Sequence, residues 1–458
     1  MNVLHPHPPS VAPPASPASD GAPAAKPNRA DAMIRTLAAV YLGILLVAAI
    51  AYHGLWFDAT GGDVALLVYG LVVVALIAAR FLLSLPYRAP RDAGLEPHVA
   101  IVMPAFNEEA AIARSLRSLL TLDYPPEKLE LVAVNDGSTD DTLAQIRQVA
   151  AQEPRVRVID LGHNQGKRAA MAAGIRVTGA DILAFVDSDS TLEPDALRRI
   201  VQGFADPKVG AICGHADVQN VDDSWLTRMQ VVRYFVAFRV VKAAESLFNC
   251  VTCCSGCFSV YRRAAILPHL DGWERQSFLG APATFGDDRA LTNLVLRDWR
   301  VKYAADAVSH TAVPSTLRQF LRQQLRWKRS WTRESLLLAR FAWRKHPLAS
   351  IQIYAGTVIS LIAPIVAIRS LLWMPLLGGR GAPLVYLGGL YAMSLAYGLY
   401  YVVRRRRYDP RWIYGIAFCG FYIVFLLWQT YWAILTARSS DWGTRPSTAA
   451  LEPLAEPA

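Results

Sequence analysis

The sequence predicts an α/β domain inserted between transmembrane helix hairpins. Three observations carry this. Apolar runs long enough to cross a bilayer lie on both sides of the middle of the chain. The middle alternates short β-branched runs with helical stretches. Each of its first three strands ends in a cluster of acid, amide or hydroxyl groups.

The elements follow in chain order. Residues 1–33 are rich in Pro, Ala and Ser and lack an apolar centre. They read as a disordered tail and not as a signal peptide. Residues 34–88 form the first hairpin. Its runs are "TLAAVYLGILLVAAIAYHGLWF" (36–57) and "VALLVYGLVVVALIAARFLLSL" (64–85). Each can span roughly 30 Å of hydrocarbon as a helix. Lys26, Arg29 and Arg35 precede the pair, and Arg80, Arg88 and Arg91 close it. Positive charge favours the cytoplasmic side, so both ends belong there.

Residues 95–315 then regain charge, Pro and Gly. With the helices after it, this part holds about 250 residues, enough for its own core. "HVAIVMPAFNEE" (98–109), "LELVAVNDGSTDDT" (129–142) and "ADILAFVDSDS" (180–190) each read as a strand with a polar C-terminal end. Helical stretches between them predict a parallel sheet, with ligands at the carboxyl ends of its strands. Asp187 and Asp189, two apart after a buried strand, suit a hard divalent cation that also binds a diphosphate. "FGDDR" (285–289) supplies a further acidic pair. It reads either as a general base toward an acceptor hydroxyl or as an acidic helix start in solvent.

Residues 316–346 read as interfacial helices. "QQLRWKRSW" (323–331) sets Gln323, Arg326 and Trp327 on one helical face. Arg suits a pyrophosphate and Trp a sugar ring, but an amphipathic helix with snorkelling arginines fits the same pattern. Residues 347–405 form the second hairpin, closed by "RRRRYDPR". The segment 410–437 is an interfacial, or transmembrane, helix dense in aromatic side chains. Residues 438–458 complete the chain. The net charge of +10 gathers beside the apolar runs. That matches an anionic leaflet, and no nucleic-acid-binding motif accompanies it.

The order of "PAFNEE", "NDGSTDDT", "VDSDS", "GDDR" and "QQLRW" resembles that of family 2 membrane glycosyltransferases over residues 95–340. "SGCFSVYRR", "FLGAPATFGDDRALTN", "RWKRSWTRES" and "WGTR" (442–445) are most similar to hyaluronan synthases within that group. The rhizobial chitin-oligosaccharide synthases share most of the core motifs. Two departures stand out. Cys257 and Phe258 replace Pro-Leu, and the chain stops soon after WGTR.

The resemblance implies a GT-A type catalytic domain on the cytoplasmic face of the inner membrane. It implies an inverting, processive transfer from UDP-GlcNAc and UDP-GlcA to a growing polysaccharide, hyaluronan, among membrane lipids. Poly-GlcNAc from UDP-GlcNAc alone is the alternative. Carried over by position, Phe106, Asn107 and Asp136 would hold the uridine, with Lys167 beside the nucleotide. Asp187 and Asp189 would hold the diphosphate and Mg²⁺ or Mn²⁺. Asp288 would be the base and Asp287 its neighbour. Gln323 and Arg326 would contact the pyrophosphate, and Trp327 would floor the acceptor site. Trp442, Thr444 and Arg445 would close a gate over the nucleotide. A gate on cytosolic UDP requires residues 412–435 to stay on the cytoplasmic side, so the interfacial reading is preferred.

Four of six cysteines fall within "CVTCCSGC" (250–257). Structural zinc usually takes two separated ligand pairs, and here there is one clump. The resemblance makes "CCSG" (253–256), with Cys254 and Ser255, the acceptor-pocket wall beside the base, with zinc as the alternative. A lipid-linked sugar transferase and a non-enzymatic carbohydrate receptor are the rival functions. The first is disfavoured by the Gln-x-x-Arg-Trp helix, the second by the intact acids.

Overall fold

A computed structural model describes residues 63–378, 381–404 and 409–440, with scattered helical positions between 33 and 54. The tail 1–33, most of the run 36–57, the basic residues 405–407 and the WGTR residues lie outside the described set.

The α/β domain is built on ten strands. They are β1 (Val99–Ala105), β2 (Leu129–Asn135), β3 (Val156–Asp160), β4 (Ile182–Phe185), β5 (Ser190–Leu192), β6 (Val209–Val218), β7 (Ser259–Arg262), β8 (Ser277–Phe278), β9 (Ala281–Pro282) and β10 (Arg300–Thr311). Eight of them form one sheet in the order β3-β2-β1-β4-β7-β6-β10-β5. The βαβ half, β3 to β4, is parallel as expected. The other half is mixed. β7 runs antiparallel to both β4 and β6, and β5 is antiparallel to β10. The parallel sheet expected from the strands at 98, 129 and 180 holds for those three, and the mixed half lies beyond them. Alternating strand and helix reports parallel pairing only where a helix crosses over.

β1 is buried along its whole length, because helices cover both faces of the sheet. Its residues alternate between two cores. Ala100 and Val102 pack on one face, Val99, Ile101 and Met103 on the other.

Twelve helices matter below. α1 is Val64–Ser84, followed in the domain by α2 (Ile112–Leu120), α3 (Thr142–Gln152), α4 (Lys167–Arg176), α5 (Ala196–Val201), α6 (Trp225–Phe235), α7 (Asp287–Asp298) and α8 (Leu317–Ala339). Then come α9 (Pro347–Ile368), α10 (Ala382–Arg404), α11 (Trp412–Phe421) and α12 (Gln429–Leu435). α1, α9 with its continuation to Leu376, and α10 are long and apolar enough to cross a membrane. Asp63 caps α1 through the Leu66 amide at 3.0 Å and pairs with Arg369 beyond α9, tying two helix ends together.

The aromatic segment is broken. Its two pieces, Trp412–Leu426 and Gln429–Leu435, meet at 42°. Near its start, Tyr414 accepts from Arg228 of α6 at 3.4 Å. Beyond its end, Arg329 of α8 donates to Thr436 Oγ1 at 3.0 Å. One end therefore touches the α/β domain, and the other touches α8, which packs on it. A straight 24-residue helix would hold its ends roughly 36 Å apart.

Candidate active site

The β1 and β2 carboxyl ends form one wall of the site. Phe106 is buried, and Asn107 adopts a left-handed φ of 56°. Its side chain explains this conformation: Oδ1 accepts from the Thr139 amide at 2.9 Å, locking the two loops together. Gly137 has φ 66°, and a Cβ there would lie 2.3 Å from the backbone of His163. Asp136 is 1% exposed. Its Oδ1 accepts from the Gln165 amide at 2.8 Å and the Gly166 amide at 3.2 Å. The visible work of this carboxylate is to clamp the loop that opens α4.

α4 begins with Lys167, which lies between the end of β4 and the start of α7. Its Nζ is 2.6 Å from Asp187 Oδ1 and 3.3 Å from Asp287 Oδ2. Burial alone would depress this lysine, but Asp187 and Asp287 overturn that and hold it well above the usual range. Asp287 is buried, which works against its charge, yet Lys167 and Arg168 keep it below the ordinary carboxylate value. Asp189 goes the other way. Burial and the charge of Asp187 push it up to about 6. Gly256 closes the cluster, since a Cβ there would sit 2.8 Å from the Asp187 carboxylate.

Among the described residues, no group of three or more His, Cys, Asp or Glu converges as a protein-only metal cage. The donor set nevertheless suits Mg²⁺ or Mn²⁺. Such ions use one or two carboxylates and take the rest of their shell from water and phosphate. The mutual repulsion that raises Asp189 is the kind of strain a divalent cation relieves.

Asp288 follows Gly286, whose φ of 79° turns the chain into α7. Burial and Asp287 raise its pKa above the usual carboxylate range. Its Oδ1 accepts from the Arg289 amide at 2.7 Å, and its Oδ2 lies 3.7 Å from Cys253 Sγ. The alternative of an acidic helix start in open solvent does not describe this environment.

The cysteines face different neighbours. Cys254 is 0% exposed and its amide donates to Thr292 Oγ1 at 2.9 Å. Cys254 is thus turned into the core and does not line the pocket as expected, because adjacent residues of an extended stretch point to opposite sides. Cys253, which the CCSG reading also placed on that wall, is the thiol beside the base. Ser255 Oγ lies 3.7 Å from Cys213 Sγ. Cys257 is pushed up by burial and by the charges of Asp187 and Asp189.

α8 seats on this cluster. A Cβ on Gly286 would lie 1.9 Å from Ser330 Oγ. Arg333 donates to the Phe285 carbonyl at 2.7 Å, and Asn293 of α7 donates to the Glu334 carbonyl at 3.0 Å. Trp327, one turn before Ser330, is 39% exposed, with the Arg233 guanidinium 5.4 Å from its ring centroid. Arg326 is half-buried, and Gln323 is engaged by Gln324 at 3.4 Å. The chain leading to the WGTR residues returns to the same place. Arg333 donates to the Ala437 carbonyl at 3.4 Å, and Thr284 donates to the Ser440 carbonyl at 2.5 Å. Lys167, Asp187, Asp287 and Asp288 are therefore brought together, with Trp327 one turn from the seat. Trp442, Thr444 and Arg445 lie outside the described residues.

The family model for glycosyl transferase family 2 matches residues 100–267. An N-acetylglucosaminyltransferase of Rhizobium meliloti is 37% identical over 287 residues, 61% of this chain and 67% of that protein. The N-acetylglucosaminyltransferase of Azorhizobium caulinodans is 33% identical, covering 77% of this chain and 89% of its own. Hyaluronan synthase of Streptococcus pyogenes is 31% identical over 388 residues, 82% and 90% of the two chains. Among solved structures, a mannosyltransferase of Pyrobaculum calidifontis aligns at 22% identity over 78% of this chain and 99% of that one, with a TM-score of 0.49. The β1–β4 half of the sheet and the Asp187 strand end fall inside the matched region, and full-length relatives extend the likeness across α7 and α8: the chain belongs to glycosyl transferase family 2, with the GT-A fold.

Proposed function

We propose that this glycosyltransferase polymerises UDP-GlcNAc and UDP-GlcA into hyaluronan by inverting, processive transfer. The single observation that carries the reading is Asp288, half-buried and raised, beside the Lys167–Asp187–Asp287 cluster and beneath the helix that bears Trp327. The raised pKa suits a base that must take a proton from a sugar hydroxyl. Asp187 and Asp189 would hold Mg²⁺ or Mn²⁺, which neutralises charge on the departing diphosphate when bound. Lys167 holds Asp187 and Asp287 in place. Phe106, Asn107 and Asp136 face the uridine, Gln323 and Arg326 the pyrophosphate, and Trp327 the acceptor ring.

The α/β domain (95–315) lies in the cytoplasm, joined to an inner-membrane anchor by the interfacial helices of 316–346. The hairpins 34–88 and 347–405 cross the membrane. Residues 410–437 enter and return on the cytoplasmic side, which agrees with the contact of one end with α6 and of the other with α8. The Thr284–Ser440 bond supports Trp442, Thr444 and Arg445 as a gate over the nucleotide, because it tethers the preceding chain two residues from Gly286.

A second reading, poly-GlcNAc from UDP-GlcNAc alone, is favoured by the rhizobial N-acetylglucosaminyltransferases at up to 40% identity. Membranes containing the chain would be given labelled UDP-GlcNAc with Mg²⁺ or Mn²⁺, with and without UDP-GlcA. Polymer that needs both donors and yields to hyaluronidase is the expected result. Polymer from UDP-GlcNAc alone that yields to chitinase would move the chain to the second reading.

A further inference from the structure

On the far side of Trp327 from Ser330's seat, the α6, α8 and α11 helices meet around a cation. Arg233 lies with its guanidinium carbon 5.4 Å from the Trp327 ring centroid and 5.8 Å from that of Phe418. Its Nη1 is buried and makes no hydrogen bond. Other enclosed arginines each bond through at least one nitrogen, although Arg168 and Arg333 leave a buried Nε without a hydrogen bond. Arg168 donates to the Trp273 carbonyl at 3.0 Å, Arg333 to the Phe285 carbonyl at 2.7 Å, and Arg239 to the Ala305 carbonyl at 2.8 Å.

No carboxylate offsets Arg233 among the described residues. The groups that act on it are burial, which lowers its pKa, and the hydroxyls of Tyr234 and Tyr422. Its cationic neighbour is Lys328 of α8, depressed to about 8 by burial and by Arg233. Lys328 is satisfied by neutral oxygens, the Leu426 carbonyl and Thr430 Oγ1 at 3.0 Å. Two cations buried side by side without an anion are costly, so a persistent arrangement of this kind implies a visiting anion. The flanking surfaces are aromatic faces, which accept the apolar face of a sugar ring. A guanidinium matches a carboxylate with two parallel hydrogen bonds.

We propose that Arg233 is a specificity-determining residue that binds the carboxylate of a uronate unit in the acceptor or growing polymer, one step beyond the sugar on Trp327. This rests on the acceptor role given to Trp327 above. It goes beyond that reading by naming the residue that tells an acidic polymer from a neutral one. Lys328 raises the local positive potential, and Phe418 closes the face opposite Trp327.

The test is equilibrium binding of a glucuronate-containing hyaluronan hexasaccharide to the purified full-length chain. The same hexasaccharide with its carboxyls reduced to alcohols is the comparison. The acidic form is expected to bind at least about tenfold tighter, the size of one charge-assisted hydrogen-bonded pair. Arg233→Gln should erase most of that ratio, and Arg233→Lys should keep part of it. Equal binding of the two oligosaccharides to the unmodified chain overturns the proposal without need of any variant. An unchanged ratio in Arg233→Gln also overturns it. The product assay is read separately. Polymer from UDP-GlcNAc alone, with the tenfold ratio intact, removes the hyaluronan reading and leaves the Arg233 site. Mixed polymer with no ratio does the reverse.

Discussion

Lys167 and Lys328 are both withdrawn from water, and their surroundings drive them apart. Lys167 sits at the strand-end cluster, where Asp187 and Asp287 hold it charged. Lys328 sits between α8 and the aromatic segment, beside Arg233 and aromatic rings, and its pKa falls to about 8. One end of the site sets its lysine among carboxylates of the chain. The other leaves positive charge for something that arrives. The first is built for fixed geometry around a reacting centre, the second for a ligand that passes.

The largest effect that would sharpen this contrast is at Asp288. Asp288→Asn should cut transfer by about 10²–10⁴-fold, the usual worth of a general base. Binding of acceptor oligosaccharide at the other end should be little changed. Transfer rates and oligosaccharide affinity measured on one preparation would check it. Near-normal turnover in the variant would remove Asp288 from the chemistry.

Next in size is the seat between the two ends. Gly286→Ala forces a left-handed φ on alanine and drives its Cβ into Ser330. The combined cost should be about 2–4 kcal/mol, from backbone strain and overpacking. Adding Ser330→Gly should recover the packing part and leave the backbone part. Unfolding midpoints of the single and double variants would separate the two, and full recovery would show that φ strain contributes nothing.

A pH comparison is smaller. The folded pKa of Lys328 lies below its unfolded value of about 10.5. Between about pH 8 and 10.5 the unfolded chain therefore binds more protons, so stability rises with pH across that window. Allowing for partial exposure, the gain should be about 2 kcal/mol and absent in Lys328→Met. The difference between the two thermal-stability profiles cancels the tyrosines common to both. Identical slopes would mean Lys328 is not held out of its normal range.

The smallest expected effect is at Thr284, which holds the Ser440 carbonyl. Thr284→Val should raise the UDP-sugar KM about twofold to tenfold, the net worth of one hydrogen bond. An unchanged KM would argue that this tether does not help position the gate.

Much of the site was legible because its signals are local. Asp187 and Asp189 lie at the end of a buried run, and Asp288 follows a glycine that starts a helix; both facts belong to a few consecutive residues. What lay out of reach were pairings across long separations. Lys167 meets Asp287 120 residues away, a contact no spacing predicts. The CCSG wall was legible as a unit, but which of its two thiols meets the base was not: Cys253 does and Cys254 is buried in the core, because that depends on which face of a short stretch meets α7.

Local chemistry in the chain was enough to set where strands and helices form, which runs can cross a bilayer and where acids collect. Hydrophobic period, length and residue type act over one or two turns, and they need no partner to be read. Assembly of those pieces settled the antiparallel entry of β7, the bend after Leu426 and the unpaired charge of Arg233. Each depends on which distant surfaces exclude water together, and burial of that kind exists only once the whole domain has packed.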